Sequence, residues 1–153
     1  MEITIFFNFE NVLVANKCFT LLKKAFTIYK DERRSDAIIF DEISGNIAIA
    51  DPDLSELIYT ALTQPTIAKN SCCKRAFLRG AYLSAGSISD PEKSYHMEIV
   101  CKDENTAAQV LEYFSAFEVD AKTVIRNKYH VVYIKDSSQI VQALNVIEAP
   151  VAL

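Results

Sequence analysis

The stretch FLRGAYLSAGSI, Phe77 to Ile88, has the leucine and alanine content of a helix. Yet Gly80 lies inside it, and it closes on Ser84, Ala85, Gly86 and Ser87. On a helix running from Cys72 to Ala85, Ala76, Gly80 and Ser84 fall four residues apart on one face, with Cys73, Ala81 and Ala85 alongside. Glycine in a helix interior costs about 1 kcal/mol relative to alanine. The expectation is therefore a face that packs tightly, most naturally against another helix of the same kind.

Outward from this helix the hydrophobic pattern alternates between strands and helices. Glu2 to Phe9 sets Ile3, Ile5, Phe7 and Phe9 against Glu2, Thr4 and Asn8, the pattern of a strand with one buried face. Ala15, Cys18, Phe19, Leu22 and Ala25 then form a helical stripe. Ile38–Phe40 and Ile47–Ile49 read as a hairpin across Glu42-Ile43-Ser44-Gly45. Asp51 caps a following helix with Pro52 at its first position. After the turn-like QPTIAKNS comes the small-residue helix, and Asp90-Pro91-Glu92-Lys93 turns the chain into a strand, Ser94 to Cys101.

The earlier order then recurs. Asp103 or Asn105 caps a helix whose stripe, Ala107, Val110, Leu111, Phe114 and Phe117, matches that of the first helix at constant offset. Glu10-Asn11 answers Glu104-Asn105, and Val131–Ile134 followed by Asp136 answers Ile47–Ile49 followed by Asp51. Two similar ββα-type units in an α+β fold, antiparallel sheets packed on helices, are expected within one domain, residues 1–153.

Composition limits the chemistry. The 153 residues carry a net charge of −4, which argues against a general nucleic-acid binder. Residues 1–68 hold six Lys/Arg against ten Asp/Glu and residues 69–153 ten against ten, so any basic surface belongs to the second part. No apolar run suggests a membrane span and the acidic start is unlike a signal peptide, giving an expected cytoplasmic location without membrane partners. Cys18, Cys72, Cys73 and Cys101 include no C-x-x-C pair, and His96 and His130 stand apart. Reduced thiols, no metal site and no cofactor are expected, with His130 a core residue.

LRGAYLSAG, Leu78–Gly86, resembles the LAGLIDADG motif of homing endonucleases, and CCKRAFLRGAYLSAGSISDPEKSYHMEIVC, Cys72–Cys101, is similar to the second half of the LAGLIDADG-like domain of the WhiA family. The resemblance implies αββαββα halves with motif helices packed about a pseudo-twofold axis. Residues 69–153 would be the second half with its motif helix at 72–85, and residues 1–68 a first half lacking one. The family's first motif helix and C-terminal helix-turn-helix domain have no counterpart in this sequence, so a truncated chain is expected.

The family comprises bacterial transcriptional regulators of sporulation and cell division. In the endonucleases each motif helix supplies a metal-binding carboxylate near its C-terminal end, and Ala85 stands at that position here. The resemblance thus implies a non-catalytic, nucleoid-associated, DNA-binding domain descended from an endonuclease. A protein-interaction or small-ligand module on the same scaffold is the alternative, and an active endonuclease working as a dimer the third possibility.

A two-residue turn at Asn127-Lys128 would oppose Arg126 to Tyr129, Val124 to Val131 and Lys122 to Tyr133. Lys122, Arg126, Tyr129 and Tyr133 then share a face, and Ala121, Thr123, Ile125, His130, Val132 and Ile134 turn toward the helices. Ser87, Ser89 and His96 extend the first face, which corresponds to the DNA saddle of the endonucleases, and Lys128 sits at the hairpin tip. These residues are the candidate DNA contacts, for weak, salt-sensitive binding. Glu98 lies on the same face and opposes that reading. Ala76, Gly80 and Ser84 are the candidate packing residues, with a homodimer through helix 72–85 as a further possible assembly.

Overall fold

Five elements build the first of two units into which the chain divides, Met1–Thr66 and Ile67–Leu153. The computed structural model describes residues 5–27, 37–64, 68–90 and 92–149. Glu2 to Thr4, Pro91 and the residues beyond Ala149, on which some expectations fall, lie outside the described residues. In the first unit β1 (Ile5–Phe7) is followed by α1 (Val12–Thr27), β2 (Ile38–Asp41), β3 (Asn46–Ile49) and α2 (Pro52–Thr63). The strands form an antiparallel sheet in the order β1-β3-β2.

Alternation on these strands does what the sequence requires. Ile38, Ile47 and Ile49 are buried together with Leu54 and Ile58 of α2, and Ile5 and Phe7 of β1 and Phe9 just after it pack on them. Phe19 of α1 stacks on Phe40 at 5.2 Å between centroids. The Asp51 carboxylate accepts from the Leu54 N–H at 2.8 Å, satisfying one of the orphan donors at the start of α2, with Pro52 in the first turn where a missing N–H costs nothing.

The second unit opens with α3 (Ser71–Ala85) and continues through β4 (Gly86–Ile88), β5 (Met97–Cys101), α4 (Glu104–Ser115), β6 (Lys122–Arg126), β7 (Tyr129–Ile134) and α5 (Ser137–Val146). Its antiparallel sheet has the order β4-β5-β7-β6. Helices α1 and α4 each follow a strand whose sheet neighbour is the last strand of the next hairpin, and the registers correspond: Ile5 faces Ile49 as Met97 faces Ile134, and Phe7 faces Ile47 as Ile99 faces Val132. Caps repeat as well. Asp136 Oδ1 accepts from the Gln139 N–H at 3.0 Å, as Asp51 does in the first unit. Asp103 caps α4, accepting from Thr106 N–H at 2.8 Å, and Asn11 Oδ1 accepts from Leu13 N–H at 2.9 Å. The counterpart of Asn11 is therefore Asp103 and not Asn105.

Two features were absent from the sequence reading. The chain passes from α3 into β4 without a loop, and Gly86 makes that possible: a Cβ there would lie 2.2 Å from the Tyr82 ring and 2.5 Å from its carbonyl oxygen. Only glycine tolerates that approach. Strand β5 begins at Met97, so Ser94 to His96 precede it as irregular chain.

Helix α3 is fixed by the side opposite its small residues. Leu78 is fully buried, Phe77 meets Tyr113 edge-on at 5.2 Å, and the Arg75 guanidinium lies 4.6 Å from the Phe117 ring centroid. Arg75 Nη1 donates to Val146 O at 3.3 Å, Arg79 Nε donates to Ile147 O at 2.9 Å, and Arg79 also pairs with Glu148. Two arginines thus satisfy carbonyls at the C-terminal end of α5, where cations also complement the helix dipole.

Ala76, Gly80 and Ser84 look elsewhere. All three are exposed, and a Cβ built on Gly80 would meet nothing within 4 Å, so the tight packing expected of this face is not made by the described residues of the chain. Gly80→Ala should consequently raise stability, by up to about 1 kcal/mol from helix propensity alone. Urea unfolding followed by circular dichroism measures it, and a loss of stability would mean that the face is closed by a partner in solution.

Candidate nucleic-acid interface

The sheet of the second unit has one face for the core and one for the outside. Met97, Ile99 and Cys101 on β5 and Val132 and Ile134 on β7 are buried in one cluster with Val110 and Phe114 of α4 and Ile140 and Leu144 of α5. The opposite face is read from the pairings: Ser87 opposes Glu98, Glu98 opposes Tyr133, and Tyr133 opposes Lys122. Along β6 and β7, Arg126 opposes Tyr129 and Val124 opposes Val131, the register expected from the two-residue turn. Asn127 and Lys128 have φ of 50° and 72°, as a type I′ turn demands of both central residues.

The helix-facing set needs one correction. Ile125 and Thr123 are exposed, Ile125 at 69 %. β6 is the edge strand of the sheet and all five of its residues are exposed, so the helices do not cover it. His130 is half-buried.

Lys122, Arg126, Lys128 and Tyr129 are all exposed, and Tyr133 is half-buried between them and β5. Ser87 is exposed on β4. Ser89 is tied up locally: its hydroxyl donates to the Ser94 carbonyl and its N–H donates to His96 O at 2.8 Å, closing the loop ahead of β5. His96 stacks on Tyr133 with 6.1 Å between centroids and 22° between planes. Lys135, which the sequence reading passed over, places its Nζ 5.4 Å from the centroid of the same ring. The signal was available, because alternation from Tyr133 across Ile134 returns Lys135 to this face.

Glu98 is the centre of the cluster. A carboxylate can only accept, so the 2.9 Å contact between His96 Nε2 and Glu98 Oε2 has the imidazole donating, and Arg126 Nη1 donates to the same oxygen at 3.2 Å. The hydrogen bond from His96, aided by the charge of Arg126, holds the Glu98 carboxyl below the usual carboxylate range against partial desolvation. His96, Val124, Arg126, Tyr133 and Lys135 line a hollow of about 210 Å³. The arrangement offers cations and aromatic faces suited to phosphate contact and stacking, around one resident anion.

The C-terminal end of α3 belongs to another region. Ala85, its last residue, is half-buried. With Ala76, Gly80, Ser84, Ile99 and Cys101 it helps line a hollow of about 680 Å³ beside β5. Among the described residues no three His, Cys, Asp or Glu side chains converge to hold a metal ion, and no helix is long and apolar enough to cross a membrane.

The model of the WhiA LAGLIDADG-like domain family matches residues 74–153. The chain belongs to that family. A probable cell division protein WhiA of Lachnoclostridium phytofermentans is 42 % identical over 164 residues, covering 94 % of this chain and 51 % of the relative. One from Thermoanaerobacter sp. is 34 % identical over 168 residues, covering 99 % and 53 %. The chain spans about half the length of these WhiA relatives. Among solved structures, the N-terminal LAGLIDADG domain of DUF199/WhiA superposes with a TM-score of 0.64 at 22 % identity, over 94 % of this chain and 70 % of that one. The homing endonuclease I-DmoI in complex with DNA and Mn superposes with a TM-score of 0.63 at 14 % identity, over 95 % and 79 %. The WhiA fold expected from LRGAYLSAG is thus the fold of this chain, and it is shared with homing endonucleases.

The environment of Glu98 gives a signed pH effect. Its folded pKa lies below the unfolded value, so the stabilisation it contributes is present above about pH 4.3 and is lost as pH falls through the lower folded value. Glu98→Gln should lower stability at pH 7, by less than about 1 kcal/mol, because the Arg126 partner is more than half exposed and solvent screens the pair. The difference from the parent should shrink as pH falls below the ordinary carboxylate range in urea unfolding experiments.

Proposed function

We propose that this chain is a DNA-binding, non-cleaving regulatory domain of a WhiA-like regulator of cell division or sporulation, contacting duplex through the open face of its second sheet. The observation that carries this reading is the hairpin itself: Lys122, Arg126, Lys128 and Tyr129 project from one exposed ribbon, with Tyr133 and Lys135 at its root. Lys128 adds weight. At φ 72° a glycine would relieve roughly 1 kcal/mol of backbone strain, yet the tip carries a lysine, as a phosphate contact would require. Three further cations of this unit serve the scaffold, Arg75 and Arg79 against α5 and Lys74 over the Tyr113 ring.

The absence of cleavage is part of the proposal. Phosphodiester hydrolysis on this scaffold needs hard-cation ligands at the end of the motif helix, and α3 ends on Ser84 and Ala85 with Gly86 as its C-cap. A second reading, a protein-interaction or small-ligand module or a homodimer through helix 72–85, draws support from the largely apolar hollow along Ala76, Gly80 and Ser84.

Titration of labelled duplex tests both. Affinity should fall with salt with a slope of about −0.9 for each phosphate contact, and Lys122→Glu with Arg126→Glu should abolish binding while leaving the fold intact. Parent and double variant giving one indifferent curve would transfer the assignment to the interaction module. Supercoiled and linear duplex incubated with the purified protein and magnesium or manganese should remain intact, and metal-dependent nicks would overturn the non-cleaving reading.

A further inference from the structure

The exposed basic face carries one sheltered carboxylate, and its position is informative. The Glu98 side chain is 17 % exposed and that of Arg126 54 % exposed, so the acid lies at the floor of the sheet while the guanidinium bonded to it remains open to an approaching ligand. A single oxygen, Oε2, takes both the His96 and the Arg126 hydrogen bonds. The groups that face Glu98 come from every strand of the sheet: Ser87 from β4, His96 beside it, Tyr133 from β7 and Arg126 from β6, with the Lys135 ammonium on the Tyr133 ring.

We propose that Glu98 is an internal competitor for nucleic-acid phosphate: it occupies the Arg126 donor in the free protein, and one backbone phosphate entering the hollow between Arg126 and Lys135 takes that donor over. The proposal rests on the reading that this face meets DNA. Carboxylate and phosphate oxygens accept the same guanidinium hydrogen bonds, and the hollow of about 210 Å³ has the volume of about seven waters at about 30 Å³ each, room for a phosphate group with its hydration. The exchange costs the protein its Glu98–Arg126 pair and leaves a carboxylate close to an anion. His96 Nε2 is the donor that remains on Glu98 Oε2. Binding by this face is therefore weaker than its cations alone would give, and Glu98 sets how much weaker.

The test is the anisotropy of a labelled duplex with the full chain, comparing the parent, Glu98→Gln, and Glu98→Gln with Arg126→Gln. Glutamine keeps the shape of the side chain and an acceptor for Arg126, and circular dichroism checks the fold; Glu98→Ala serves if the glutamine variant does not fold. Glu98→Gln should bind roughly threefold to tenfold more tightly at low salt, with a salt slope steeper by about 0.9 as one more phosphate contact forms, and adding Arg126→Gln should remove both gains. If the parent binds and Glu98→Gln gives the same curve or a weaker one, the competitor is overturned while the DNA-binding reading stands. If neither parent nor variant binds at any salt concentration, that reading fails and the competitor with it.

Discussion

The core and the open face of the second unit both depend on the antiparallel pairing of β5 with β7. Met97 against Ile134 and Ile99 against Val132 put four apolar side chains on the helix side, and the same register forces Glu98 and Tyr133 onto the other. Because side chains alternate with a period of two, a slip of one residue would bury Glu98 among α4 and α5 and expose the core. Burying an ion without full compensation costs several kcal/mol, so the register is held by what it excludes as firmly as by what it packs. Core and candidate interface are two consequences of one pairing.

The neighbouring β6–β7 register was legible in the sequence because the hairpin has a two-residue turn. Asn127-Lys128 leaves no freedom in which residues oppose, so Arg126 with Tyr129 and Lys122 with Tyr133 followed from counting. The duplicated stripes of α1 and α4 were legible for a similar reason, since a helical face is a local property. Ile125 was not. Whether its face is covered depends on how far the helices reach across the sheet, and β6 lies beyond them. The sequence left the cap of α4 between Asp103 and Asn105, both good caps, and only the 2.8 Å bond to the Thr106 N–H distinguishes them; the matching of Asn11 to Asn105 was off by two residues for the same reason. The convergence of His96 and Arg126 on one carboxylate oxygen joins separate strands, and no spacing within either reveals it.

The small residues of the opening stretch have separate explanations, although they look alike in sequence. Gly86 is demanded by the turn from α3 into β4, where the Tyr82 ring and carbonyl leave no space for a Cβ. Gly80 faces open space, and its backbone entropy cost is not offset by any contact within the described residues. The difference lies in tertiary surroundings rather than in chemistry. It also separates the fold from the chemistry at the end of α3: Arg75 and Arg79 hold the helix in place from its other side, independently of what Ser84 and Ala85 contribute.

The edge position of β6 has a bearing on solubility. Thr123, Val124 and Ile125 form an exposed, β-branched run on a strand with one unpaired side, the kind of segment that templates strand addition between molecules. Lys122 and Arg126 bracket it, and Lys128 follows at the turn. Two copies meeting edge to edge would bring these like charges together, so the cations guard against aggregation whether or not nucleic acid is present. Neutral residues at these positions would give up that protection.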